Sequence, residues 1–77
     1  MKVLCVDWID ALTSAGWEKL EDAFGVHECR TIGFLIKEDE KQIILAGSVS
    51  TGPEQTECNA TTAIPKAWIK KRKVVKL

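Results

Sequence analysis

The chain has 77 residues, eleven Lys and Arg balanced by eleven Asp and Glu, and 45% hydrophobic residues. That length makes one domain with a small core, and the composition excludes global disorder. No apolar run approaches the roughly 20 residues that span a bilayer, and the start Met1-Lys2-Val3-Leu4-Cys5-Val6-Asp7 reaches an acid before a signal peptide's apolar region could form, so the expected setting is soluble and intracellular.

Residues 3–9, Val-Leu-Cys-Val-Asp-Trp-Ile, are rich in β-branched and aromatic side chains and predict a first strand, apolar on both faces. Asp10 to Gly16 is punctuation. Trp17, Leu20 and Phe24 then stand at i, i+3 and i+7, the spacing of a two-turn helix that Gly25 would stop. A long irregular loop pinned by Trp17 is the competing reading.

Residues 28–50 carry the clearest pattern. Ile32, Phe34 and Ile36 recur at period two from Thr31 to Lys37, and Glu38-Asp39-Glu40-Lys41 makes a charged turn. Gln42 to Ser50 resumes with Ile43, Ile44, Leu45, Ala46 and Val49, which predicts a hairpin. Gly33 and Gly47 inside these strands predict a bend, a bulge or a close backbone approach. After Thr51-Gly52-Pro53-Glu54 comes a polar, Thr-rich fourth strand over residues 55–63 with the character of an edge. Ile64 and Trp68 flank one helical turn that Pro65 would open. Lys70 to Leu77 predicts a short, basic last strand whose lysines would blunt an edge.

The predicted order is strand, long excursion with a short helix, hairpin, strand, one helical turn, short strand. Ala63-Ile64-Pro65-Lys66-Ala67-Trp68-Ile69 resembles the Ile-Pro-x-x-aromatic-hydrophobic stretch before the last strand of SH3 domains. The expected architecture is therefore mainly β: a single domain over residues 1–77, folded as a five-stranded SH3-like barrel, with a short helix in the first long loop and one 3-10 turn before the last strand. Trp8, Phe34, Ile36, Leu45, Ile64 and Trp68 are its expected core.

The neutral total conceals an asymmetry. Residues 1–65 hold all eleven acids and five bases, net −6, whereas residues 66–77 hold six bases and no acid, net +6. The basic segment either lies across the acidic body as internal compensation or presents a strip to phosphate. Strand alternation sends Lys70, Arg72, Val74 and Lys76 to one face and Lys71, Lys73 and Val75 to the other. No single face collects the charge, which argues against a duplex-DNA reader.

Catalytic and metal chemistry find little to work with. Cys5, Cys29 and Cys58 form no Cys-x-x-Cys pair and are too few and too spread for a disulfide framework or a zinc site with the lone His27. They read as buried or half-buried free thiols. His27 and Cys29 would share a strand face, but no orienting group or oxyanion donor stands at a recognisable spacing, and no cofactor motif is present. A non-enzymatic binding protein is expected. Trp17 is either a staple for its helix or a stacking platform for a base or peptide, and Arg30 either pairs with Glu28 or a neighbouring carboxylate or forks a phosphate.

Trp8-Ile9-Asp10-Ala11, Gly16-Trp17, Thr31-Ile32-Gly33-Phe34-Leu35 and Ile64-Pro65-Lys66-Ala67-Trp68-Ile69, in this order and spacing, resemble a group of small bacteriophage and prophage proteins. The resemblance runs over nearly the whole chain and implies a phage origin and a small barrel, without bringing an activity; with the intracellular setting expected above, the protein would act in the host cytoplasm. Small non-enzymatic phage proteins often act on host machinery or host immunity, and by analogy of context and size this one is expected to counter host defence. The leading functional expectation is a homo-oligomer that sequesters a small phosphorylated ligand of the cyclic-nucleotide type. Trp17 would stack the base, and Arg30, Lys66, Lys70 and Arg72 would meet the phosphates. A protein-interaction module that blocks a host protein is the alternative, and an accessory nucleic-acid-binding protein a further one. No membrane partner is expected.

Overall fold

The computed structural model describes residues 1–10, 17, 19, 27–54 and 57–77. The helix expected over residues 17–24 lies mostly outside them. The chain is mainly β: five antiparallel strands, β1 (Val3–Asp10), β2 (His27–Glu38), β3 (Gln42–Val49), β4 (Cys58–Pro65) and β5 (Ile69–Val75), form one sheet in the order β4-β3-β2-β1-β5. A 3-10 turn, Lys66–Trp68, joins β4 to β5.

Twelve residues make β2 the longest strand, and it serves both halves of the sheet. Residues 27–34 pair with β1 in unbroken register, from Asp10↔His27 to Val3↔Phe34. Beyond that, β2 pairs with β3, from Phe34↔Ala46 to Glu38↔Ile43, across a register shift between Leu35 and Lys37 that leaves Ile36 as the extra residue. A bulge of this kind bends its strand. Gly33, next to the point of transfer, is buried, and a Cβ there would stand 2.8 Å from the carbonyl oxygen of Ala46. Glycine is required by that approach of β3. Gly47 serves a similar contact, since a Cβ on it would lie 3.2 Å from Cβ of Ala60, the one described non-glycine residue with positive φ, 56°.

The hairpin turn holds itself. The Asp39 carboxylate accepts the backbone N–H groups of Lys41 and Gln42 at 2.8 and 3.0 Å, and the Asp39 N–H donates to the Gln42 carbonyl at 3.0 Å. An aspartate that bonds the backbone two and three residues on is a turn-former by mechanism. The 3-10 turn is tied to the same corner by Lys66 N–H, which donates to the Lys41 carbonyl at 2.8 Å.

On one face of the sheet, Leu4 and Val6 of β1, Ile43 and Leu45 of β3 and Ile64 of β4 bury one another, with Trp8, Leu35 and Ile69 packed against them. Burying each large aliphatic contributes roughly 1.5–3 kcal/mol. Trp8 is half-buried, and its indole N–H donates to the Thr31 hydroxyl at 3.0 Å.

The expected core is therefore placed in three ways. Leu45 and Ile64 are buried in the cluster; Trp8 packs at its margin and Phe34 is half-buried. Ile36 and Trp68 are instead exposed, at 36% and 39%. Ile36 shares the phase of Ile32 and Phe34, which faces away from the cluster, and the bulge leaves it without a partner on β3; Trp68 sits in a turn that buries none of its residues. Val6, Leu4 and Ile43 take their places in the core. The sheet is also open, in contrast to the closed barrel expected from sequence. The ladders of β5 run to β1 and those of β4 to β3, so among the described residues no pairing joins β4 to β5.

Candidate binding face

Antiparallel partners share a face, so the register defines the side of the sheet opposite the core. Four rows cross it. Lys71 of β5, Asp7 of β1 and Arg30 of β2 form one. Lys73, Cys5 and Ile32 form the next, and Val75, Val3 and Phe34 the third, extended onto β3 by Ala46. Beyond the first row lie Ile9 and Glu28. The face thus runs from charged at one end to apolar at the other. Ile32 is 60% exposed in the middle of it.

At the charged end a groove of about 610 Å³ is lined by Asp7, Trp8, Glu28, Arg30, Lys70 and their neighbours. Arg30 grips Asp7 with both arms of its guanidinium, Nε to Oδ1 at 2.6 Å and Nη2 to Oδ2 at 3.0 Å. Hydrogen bonding to that guanidinium holds the Asp7 carboxyl below its ordinary range and raises the Arg30 pKa in turn. Lys70 reaches the Glu28 carboxylate at 3.0 Å. Lys70 can reach that way because the β1–β5 register shifts between Asp7 and Trp8 and leaves Lys70 as the extra residue.

The other two expected phosphate contacts lie elsewhere. Lys66 and Arg72 converge on one carboxylate oxygen of Glu38, at 2.8 and 3.2 Å, beside a small recess floored by Leu4 and Leu35. These two cations, Lys66 foremost, lower the Glu38 pKa. The five ligand-binding residues expected from sequence are therefore not assembled into one site. Arg30 and Lys70 share a groove, Lys66 and Arg72 share a carboxylate, and Trp17 stands fully exposed. Each of the four cations has an acidic partner, and Arg30 takes Asp7, with Glu28 going to Lys70.

Lys71, Lys73 and Ile32 belong to this face without standing out in the sequence as site residues. Their common side can be found only by aligning β1 with both β2 and β5, a register that strand alternation within one segment does not supply.

The thiols offer no assembled centre. Cys29 Sγ donates to the His27 backbone carbonyl at 3.7 Å, Cys5 and Cys29 are half-buried and Cys58 is exposed. Among the described residues no cluster of His, Cys, Asp and Glu could hold a metal ion, and no helix is long and apolar enough to cross a membrane. Comparison with known family models, curated proteins and solved structures gives no match.

Proposed function

We propose that this chain is a small SH3-like, non-enzymatic domain that binds a protein partner through the β5-β1-β2 face. The strand order, the bent β2 shared by both halves of the sheet and the 3-10 turn before β5 support the SH3-like reading. One observation carries the choice of partner: Arg30, Lys66, Lys70 and Arg72 are each already held by a carboxylate, at 2.6–3.2 Å. A polyanion would have to displace Asp7 and Glu28 or bind beside them. A polypeptide, carrying both signs of charge and apolar side chains, matches a groove with Asp7, Arg30, Glu28 and Lys70 bordered by Ile32. In the phage setting implied by the resemblance, that partner is a host protein.

The phosphorylated-ligand reading stands second, favoured by the full exposure of Trp17 and by Lys71 and Lys73, which have no carboxylate partner among the described residues. Affinity capture from a bacterial lysate, run beside thermal melting with cyclic di- and oligonucleotides, separates the two. One dominant captured protein, lost with Ile32→Asp while the melting midpoint is kept, supports the protein partner. A midpoint raised by a nucleotide and insensitive to Ile32→Asp overturns it in favour of the second reading.

A further inference from the structure

The open sheet has two edges with opposite chemistry. β5 carries Lys70, Lys71, Arg72 and Lys73 within seven residues. β4, Cys-Asn-Ala-Thr-Thr-Ala-Ile-Pro, carries no charge at all. On its far side no strand pairs with it among the described residues, and Asn59, Ala60, Thr61 and Ala63 are exposed. Free edges are templates for another strand, and lysine is the common protection against that. β5 has the protection and β4 lacks it.

We propose that the free edge of β4 pairs antiparallel with β4 of a second copy of this chain, with Thr62 on the two-fold axis. Charge selects the occupant. A two-fold contact sets a strand against itself, so β5 meeting β5 would oppose cation to cation, which is destabilising, whereas β4 meeting β4 opposes nothing. The ends of the pairing segment are marked in the backbone. Ala60 stands at φ 56°, and its N–H is taken by its own neighbour, the Asn59 side-chain oxygen, at 2.6 Å. Pro65 has no N–H to give. Between them lie Thr61, Thr62 and Ala63, where alternate residues turn their backbone N–H and C=O groups away from β3 and toward the open edge. An antiparallel two-fold keeps the buried faces of both sheets on one side only when a residue sits on the axis. Centring on Thr62 places Thr62 against its own copy, a favourable cross-strand pair, and Thr61 opposite the partner's Ala63. The contact joins the two sheets edge to edge and leaves the β5-β1-β2 face of each copy open. So short a ladder makes a small interface, and the dimer dissociates on dilution.

Sedimentation velocity over a concentration series tests this, with circular dichroism confirming that each variant is folded. Wild type is expected to shift reversibly from monomer to dimer. Thr61→Lys with Ala63→Lys places lysine opposite lysine twice and is expected to weaken the dimer tenfold or more, about 1.4 kcal/mol or beyond. Thr61→Glu with Ala63→Lys places opposite charges in the same two positions and is expected to restore it, while Lys71→Ala, on the other edge, leaves it unchanged. A monomer at every concentration overturns the proposal, as does a dimer that the double lysine variant does not weaken or that the Glu–Lys variant does not restore. None of these outcomes bears on the protein-partner reading, whose variant lies on a different face.

Discussion

Ile43 and Ile36 show how little residue type alone decides in a domain of this size. Both are isoleucines in the hairpin, yet Ile43 is fully buried and Ile36 is 36% exposed, because Ile43 faces the cluster whereas Ile36 follows Ile32 and Phe34 onto the opposite side of the sheet. Ile43→Ala removes buried methyl groups from a core of five side chains with few neighbours free to close the gap. A loss of about 2–5 kcal/mol is expected, a large share of a small domain's stability. Urea denaturation checks it, and a loss below about 1 kcal/mol would place Ile43 outside the cooperative core. Ile32, 60% exposed on the opposite face, should by contrast change stability by no more than about 0.5 kcal/mol on conversion to Thr.

Among the elements, β2 does the most to shape the sheet, and Gly33 is where its shape depends on one residue. A Cβ there would meet the Ala46 carbonyl oxygen at 2.8 Å, a backbone atom that can move only if β3 moves with it. Gly33→Val is therefore expected to destabilise by about 1–3 kcal/mol even though valine has the higher strand propensity. A stabilised variant, read in the same denaturation experiment, would mean that the strands do not approach so closely. The bulge at Ile36 and that at Lys70 have related effects: each adds a residue to one strand and re-aims the side chains beyond it. Lys70 thereby reaches Glu28, and the single row of Lys70, Arg72, Val74 and Lys76 expected from alternation is broken at its first member.

Over the full length of the chain, the division into an acidic body and a basic C-terminal segment resolves into specific cross-strand pairs. Lys66, Lys70 and Arg72 of that segment meet Glu28 and Glu38 of the hairpin strand. These pairs are exposed and individually contribute little at neutral pH. Their signature is in acid. Asp7, Glu38 and Asp39 all have folded-state pKa values below the ordinary ones, through Arg30, through Lys66 and Arg72, and through the turn's N–H groups respectively. A depressed carboxyl pKa stabilises the fold above its unfolded value, and that contribution is lost as pH falls through the folded value. The melting midpoint is expected to be flat between about pH 6 and 8 and to fall below about pH 4, near the ordinary carboxylate pKa. Glu38→Gln should make the acid fall shallower; an unchanged slope would mean that Glu38 is as free in the folded chain as in the unfolded one.

Neighbours along the chain are enough to establish the β class, the hairpin about its charged turn, the turn after Pro65 and the opposition of an acidic body to a basic end. Each rests on something local: period-two alternation, turn chemistry, a fixed proline φ or a count of charges. Gly33 and Gly47 are legible in the same way as places of unusual backbone. Which carboxylate each cation takes is settled only by folding, because Asp7 meets Arg30 through the β1–β2 register, 23 residues apart in the chain. Folding also keeps Trp68 and Ile36 at the surface, since Trp68 lies in a turn and the alternation that Ile36 shares with Ile32 and Phe34 faces away from the core. The open sheet, with one edge charged and one neutral, belongs to the same class of outcome. Strand pairing is non-local, and no property of β4 or β5 taken separately states whether they meet.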